Sequence, residues 1–452
     1  MLTWPIARSG LSILAVLGGL GLAPSATAAP EGFSVSGEAR ARYETLEGQF
    51  RVGGQGGDQI LALRTLVKLE YQGEPFALGL ELQDSRAYLD DGGTPLSTSL
   101  VNPLDLLQAY VRVDMPAPPG FDASSLTLGR QTISIGSRRV IERVEFANVI
   151  FSYTGAYWRA ENGEGDELHL LAVAPVGRHP AALEDLRDNT LSGDDETFRR
   201  TFWGAHYRRS NALGERLPGA WAEVFVYGLN ERDAAEAPTP NRQYIQPGVR
   251  LYRAPQTGRL DFDIEGSIRR GSRRASALAT DVRDLDVRAS TLHLAVGLSP
   301  DHPWRPRLSL DYDYASGDRD PTDGAYEQYE RLFGSRRTDL GNTSLFGPWT
   351  PANLSAPGAR IELAPHPQWD ARIAYKAGYL AAPRDVWTVA RLRDPSGASG
   401  RFVGHTMDAR ARYRFKQPGL SAEIGASVFI PGEFAKSAPN SPGQTTTFGF
   451  VQ

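Results

Sequence analysis

The sequence predicts an all-β fold: a single 18-stranded antiparallel transmembrane β-barrel with long external loops and short periplasmic turns. Three observations predict it. Apolar and polar residues alternate with period two along many short segments, which gives a strand one apolar and one polar face. Long and short connections alternate between those segments, as they must when successive connections lie on opposite rims of an up-and-down barrel. No interior run approaches the roughly 18 consecutive apolar residues of a spanning helix. A soluble sandwich has no reason to alternate its connections, and a soluble barrel would turn its apolar face inward.

The chain opens with an export signal. Met1 to Arg8 is a short segment with one positive charge, Leu11 to Leu22 is an apolar core, and Ala26-Thr27-Ala28 supplies the small residues a signal peptidase needs. Residues 1–28 are therefore expected to be a signal peptide and residues 29–452 the barrel, with the mature chain starting at Ala29.

In the first strand Phe33, Val35, Ala39, Ala41 and Tyr43 oppose Glu38, Arg40, Arg42 and Glu44. The pattern recurs. Leu61, Leu63, Val67 and Leu69 oppose Arg64, Lys68 and Glu70, and Leu260, Phe262, Ile264 and Ile268 oppose Asp261, Asp263 and Glu265. Trp369, Ala371, Ile373 and Tyr375 oppose Asp370, Arg372 and Lys376, while Met407 to Phe415 opposes Asp408, Arg410, Arg412 and Arg414. Strand starts fall near residues 33, 60, 76, 107, 125, 153, 167, 201, 220, 244, 260, 288, 307, 358, 369, 404, 420 and 445. The first connection, Gly53-Gly54-Gln55-Gly56-Gly57, is long and hence external, and the next, Gln72-Gly73-Glu74-Pro75, is short. Both termini then face the periplasm, as an even strand count requires.

The longest connection follows a strand in which Leu308, Leu310, Tyr312 and Tyr314 face one way and Ser309, Asp311 and Asp313 the other. Tyrosines closing an apolar stripe suit a bilayer interface, where an amphipathic ring meets both lipid and water. The segment then breaks at Ala315-Ser316-Gly317-Asp318 into a loop rich in Asp, Arg and Tyr.

Composition narrows the chemistry. The 452 residues contain no Cys, which removes disulfides, thiol catalysis and thiolate metal sites, and the net charge of −4 with no basic domain argues against nucleic acid. Of 49 basic residues only Lys68, Lys376, Lys416 and Lys436 are lysine; the rest are arginine, whose planar fork grips carboxylates. An arginine-favouring genome would give the same composition.

The segments Asp311-Tyr312-Asp313-Tyr314-Ala315-Ser316-Gly317-Asp318 and Leu332-Phe333-Gly334-Ser335-Arg336-Arg337 resemble the alginate-export family of outer-membrane barrels. Leu128-Gly129-Arg130-Gln131, Gly404 to Arg410 and Gly425 to Phe434 support the resemblance. It implies a pore in the outer membrane of a Gram-negative bacterium, with an arginine-rich interior that passes an acidic polysaccharide or another anionic solute. Two features depart from the family. A long periplasmic turn that plugs the pore in some members is here only Lys416-Gln417-Pro418-Gly419, so plugging by that turn is not expected. The chain ends Phe448-Gly449-Phe450-Val451-Gln452, without the final aromatic residue that the barrel assembly machinery commonly reads, so either the last strand is incomplete or that signal is displaced.

Selectivity in a pore resides at its narrowest point. Parity places Arg159, Arg410, Arg412 and Arg414 on the water-facing side, among acids such as Glu38, Asp370 and Asp408. Such mixed signs equally suit solvated ladder pairs. Arg130, Arg138, Arg139 and Arg143 stand out in a long loop able to fold into the bore, where four guanidinium groups against Glu142 and Glu145 can form a positive ring. Arg336 and Arg337 form a second cluster, as compatible with a solvated external loop as with the pore.

Other chemistry has little support. The acids from Asp311 to Asp323 miss the EF-hand spacing, with Ala315 at the third ligand position, although a looser calcium site in the loop stays open. The seven His show no zinc spacing, and no Ser sits in a nucleophile elbow, so neither catalytic residue, metal nor cofactor is assigned. The expectation is passive export or diffusion of an alginate-like anionic polysaccharide. A general small-solute porin on the same scaffold is the alternative. The expected partners are that solute, outer-membrane lipid and the assembly machinery; no apolar surface stands out from the lipid belt to fix an oligomeric state.

Overall fold

The computed structural model describes residues 32–234, 238–417 and 419–452. The expected signal segment lies outside them. The strands are β1 (Gly32–Glu47), β2 (Gly57–Gln72), β3 (Phe76–Tyr88), β4 (Asn102–Met115), β5 (Ala123–Gln131), β6 (Tyr153–Glu161), β7 (Glu167–Pro175), β8 (Arg200–Arg209) and β9 (Ala220–Glu231). Then follow β10 (Gln243–Arg253), β11 (Leu260–Arg274), β12 (Asp284–Leu298), β13 (Arg307–Ala315), β14 (Ala325–Tyr326), β15 (Leu354–His366), β16 (Trp369–Tyr379), β17 (Phe402–Arg414), β18 (Ser421–Pro431) and β19 (Thr446–Val451). All but β14 are staves of a closed 18-stranded antiparallel barrel, each hydrogen-bonded to the next. Closure comes from β1, which pairs with β2 on one side and with β19 on the other, so no stave is left as an open edge. The two-residue β14 runs parallel to β12 inside a loop.

Side-chain period decides which way the sheet turns. Along β16, Trp369, Ile373 and Tyr375 are exposed on the outer wall, whereas Arg372 and Lys376 are buried inside. Ile264, Ile268, Leu308 and Leu310 are exposed in the same way. Apolar side chains outward and charges inward is the arrangement of a barrel solvated by hydrocarbon. A charge placed at mid-belt on that wall costs about 2–4 kcal/mol.

Several strands begin earlier than the alternation suggests: β2 at Gly57, β4 at Asn102, β12 at Asp284 and β15 at Leu354. Pairing with a neighbour keeps the backbone extended beyond the apolar belt, where side-chain alternation no longer marks the strand. Asp58 and Asn102 occupy such extensions and are held by polar contacts, Asp58 by Thr94 and Asn102 by Asp194 at 2.7 Å.

The long connections do not stay outside. Residues 132–152 cross the inner faces of β1–β3, where the fully buried Asn148 donates from Nδ2 to the carbonyls of Leu63 (3.1 Å), Arg86 (3.3 Å) and Leu100 (2.7 Å). Ser85 Oγ donates to Asn148 O at 2.7 Å, and Ile150 N donates to Gln83 at 2.9 Å. Three further long loops, 48–56, 316–353 and 380–401, meet in an aromatic cluster. There Phe50 stacks on Trp387 with centroids 5.4 Å apart, and Phe50, Phe346 and Trp349 are fully buried. Burying such rings fixes the loops as part of the barrel's core rather than as loose flaps.

Candidate functional site: the charged bore

The strand that opens the longest loop shows how the inner wall is built. Asp311 on β13, Gly358 on β15 and Lys376 on β16 lie in one register row. A Cβ at Gly358 would lie 2.8 Å from Asp311 Oδ2, so the missing side chain is what lets Asp311 reach across a whole strand to Lys376. Lys376 Nζ also donates to Asp313 at 2.5 Å, and Asp313 accepts from His293 Nδ1 at 2.7 Å. Both acids of the Asp-Tyr-Asp-Tyr segment are therefore spent on fixing the wall.

An acidic sector lies on β9–β13. Arg139 is clamped there by Asp263 (2.9 Å), Glu265 (3.0 Å) and Asp339 (2.8 Å), while Arg250 bridges Glu223 (3.2 Å) and Asp263 (2.7 Å). Burial alone would lower the affinity of Arg139 for its proton; Asp339, Asp263 and Glu265 outweigh it and raise it well above the usual value. Arg139, Asp339 and Arg336 also line a cavity of about 40 Å³, room for ordered water.

The expected ring of four arginines does not form. Arg130 is not in the loop but on β5, paired with Asp194 at 2.9 Å. Arg143 is paired with Glu81 (2.7 Å) and Glu145 (2.8 Å), and Arg138 is more than half exposed, 3.9 Å from Glu142. Glu81 on β3 and Asp194 in the loop before β8 lie far away in sequence and no local pattern announces them, whereas Glu142 and Glu145 belong to the same loop as the arginines they meet.

Arg336 and Arg337 are not in a solvated loop. Arg336 donates to the carbonyls of Gly347 (3.1 Å) and Trp349 (2.8 Å), and burial, with Arg331 and Arg51 nearby, pushes it down to about 9. Arg337 lies 3.7 Å from the Phe146 ring and donates to Glu423 at 2.7 Å. Glu423 also takes Arg410 (3.3 Å) and Arg412 (2.8 Å), so one carboxylate faces three guanidinium groups. Arg414 pairs with Asp370 at 2.6 Å, and Arg159 with Glu161 (2.6 Å) and Glu167 (3.1 Å).

Arg372 is an inner-face residue that sequence reasoning did not single out for selectivity. It stands directly opposite Arg410 on the neighbouring strand and is 7 % exposed. Among the described residues it has neither a hydrogen bond nor a carboxylate within 4 Å. Its strongest electrostatic neighbours are Arg360, Arg410 and Arg337, with Asp408 opposing them. Like charges directly opposite one another destabilise a sheet. Parity placed Arg372 in the bore, but only the register of β16 on β17 reveals the pairing.

The sequence model of the alginate-export family matches residues 32–448. The chain belongs to the alginate-export family. No match was found among curated proteins. Among solved structures this family member is similar to OccK2 (OpdF) of Pseudomonas aeruginosa, at 14 % identity and a TM-score of 0.55, covering 93 % of this chain and 98 % of the other. A BenF-like porin from Pseudomonas fluorescens Pf-5 matches at 10 % identity and a TM-score of 0.56, covering 92 % and 97 %. OpdK of Pseudomonas aeruginosa, solved with vanillate, matches at 12 % identity and a TM-score of 0.56, covering 92 % and 96 %. At these identities the likeness is one of fold. Family and fold together support an outer-membrane pore, in a family of transport proteins.

Proposed function

We propose that this pore passes an anionic carbohydrate of the alginate type by passive diffusion, guided by the arginines of β15–β17 and of the loop that carries Arg337. The observation that carries the reading is Arg372: a buried guanidinium without a partner, facing Arg410 and flanked by Arg360 and Arg337. Arg410 has Glu423 and Asp370 beside it, whereas Arg372 makes no ion pair among the described residues although Glu362 stands opposite it on β15, so a passing carboxylate would offset the cost of that like-charge contact while it is bound. Arginine suits the task because it stays charged and forks onto carboxylates. The family match supports the polymeric substrate. Reversal potentials in planar bilayers under a KCl gradient test the reading: anion preference is expected, and cation preference would overturn it.

A second reading is favoured by the anchored loop 132–152. Its contacts with β1–β3 keep it against the inner wall, where it takes up room in the bore, and this suits a small carboxylate better than a polymer. OpdK, a structural neighbour, was solved with vanillate, which is such a carboxylate. Current block by oligouronates compared with monomeric carboxylates separates the two readings.

A further inference from the structure

The Tyr-Ala-Ser-Gly-Asp turn after β13 is tied into its surroundings by more than packing. Ser316 O accepts from Tyr329 N at 2.9 Å and from Asn353 N at 3.1 Å, while Asn353 Nδ2 donates to Ala382 O at 3.1 Å. The turn therefore joins both ends of the loop 316–353 to the loop 380–401. At the centre of this junction lie two carboxylates. Asp318 N donates to Asp385 Oδ2 at 2.8 Å, as does Gln328 Nε2, and the two acids are only 5 % and 6 % exposed.

Most other acids gathered inside the barrel come with their cations, and buried Asp58, Asp394 and Asp408, which form no ion pair among the described residues, are held by hydroxyl and N–H donors. His293, Asp313 and Asp339 have the spacing of a metal site, but Lys376 and Arg139 already neutralise their carboxylates. Asp318 and Asp385 differ. Among the described residues no Lys, Arg or His nitrogen comes within 4 Å of either, although Arg393 acts on Asp385 from further off; Asp318 Oδ1 is enclosed without a hydrogen-bond partner, while the Asp320 N–H bears on the same carboxyl. Asp323 and Glu327 add negative potential at Asp318. Arg319, next in the chain, is 81 % exposed and turned to Glu327 at 3.6 Å. A buried, unpaired carboxylate beside a second one is unstable unless something positive joins it.

We infer that Asp318 and Asp385 bind a hard divalent cation of the calcium type, which locks the loop 316–353 to the loop 380–401. Calcium takes oxygen ligands in flexible geometry, including backbone carbonyls, and carboxylates that already accept N–H groups keep lone pairs for it. The competing occupant is a proton: burial, then the charge of Asp385, pushes the Asp318 carboxyl up to about 6. The inference does not depend on which solute crosses the pore.

The test is calorimetric titration of the EDTA-treated, refolded barrel with CaCl2 at pH 7.5, paired with limited trypsinolysis after Arg319. One calcium per chain is expected, with cleavage at Arg319 slowed at least tenfold by calcium and restored by EDTA. Asp318→Asn and Asp385→Asn should each weaken binding more than tenfold, whereas Asp320→Asn, at an exposed position, should not. Retained heat-modifiable migration on gels confirms that the variants fold. Absence of binding at millimolar calcium, or unchanged binding in Asp318→Asn, overturns the inference. So does protection at Arg319 that added calcium leaves unchanged at every pH, because a shared proton would then be the occupant.

Discussion

Arg372 and Arg410 stand directly opposite one another on β16 and β17, and only Arg410 has carboxylates to hold it. Two arginines also face each other on β1 and β2, yet there the pair is structural. Arg40 and Arg64 both donate to the carbonyl of Ala147, at 2.9 and 2.7 Å, and so bind the inward loop. The same local pattern thus does two different jobs, and what lies across the bore decides which.

Replacing Arg372 should separate stability from selectivity. Removing one unit charge about 8 Å from a permeating ion in water changes its energy by roughly 0.5 kcal/mol, about twofold in permeability. Arg372→Ser is expected to lower the anion-to-cation permeability ratio by about that factor while the melting temperature holds or rises. A falling melting temperature with unchanged selectivity would show that Arg372 is a structural residue.

The inward loop should widen the bore when its anchor is cut. Asn148→Ala leaves the carbonyls of Leu63, Arg86 and Leu100 without their donor, a loss of about 1–3 kcal/mol for each one left unsatisfied. Single-channel conductance is expected to rise, with current noise from the loosened segment. Unchanged conductance would mean that the loop does not set the narrowest section.

Gly358 should tolerate no side chain. Gly358→Ala sets a methyl 2.8 Å from Asp311 Oδ2, which pushes Asp311 off Lys376 and leaves a buried ammonium with one partner fewer. Destabilisation of about 1–3 kcal/mol is expected from urea unfolding in detergent or liposomes. Combining it with Asp311→Asn should add little, since both changes remove one contact.

The junction at Asp318 should respond to pH in one direction. Its folded carboxyl holds its proton up to about 6, above the unfolded value, so the folded state binds more protons between about pH 4 and 6. In EDTA, protection of the loop 316–353 from proteolysis is therefore expected to fall as pH rises through that window and to level off above it. Asp318→Asn should flatten the profile. A profile that rises with pH in EDTA would falsify the assignment.

The sequence by itself determined the barrel. Period-two alternation and alternating connection lengths are local properties, and they located every stave to within a few residues, because hydrocarbon outside and water inside impose the same two-faced pattern on each strand. It also placed Arg372, Arg410 and Lys376 on the inner face by parity alone. Tertiary structure decided the charge balance. Whether an arginine is free or neutralised depends on register and on acids brought in from strands and loops far along the chain: Asp194 for Arg130, Asp339 for Arg139, Glu423 for Arg337. Electrostatic energy depends on distance in space, and local sequence carries no record of that distance once a closed sheet has folded its loops into its own bore.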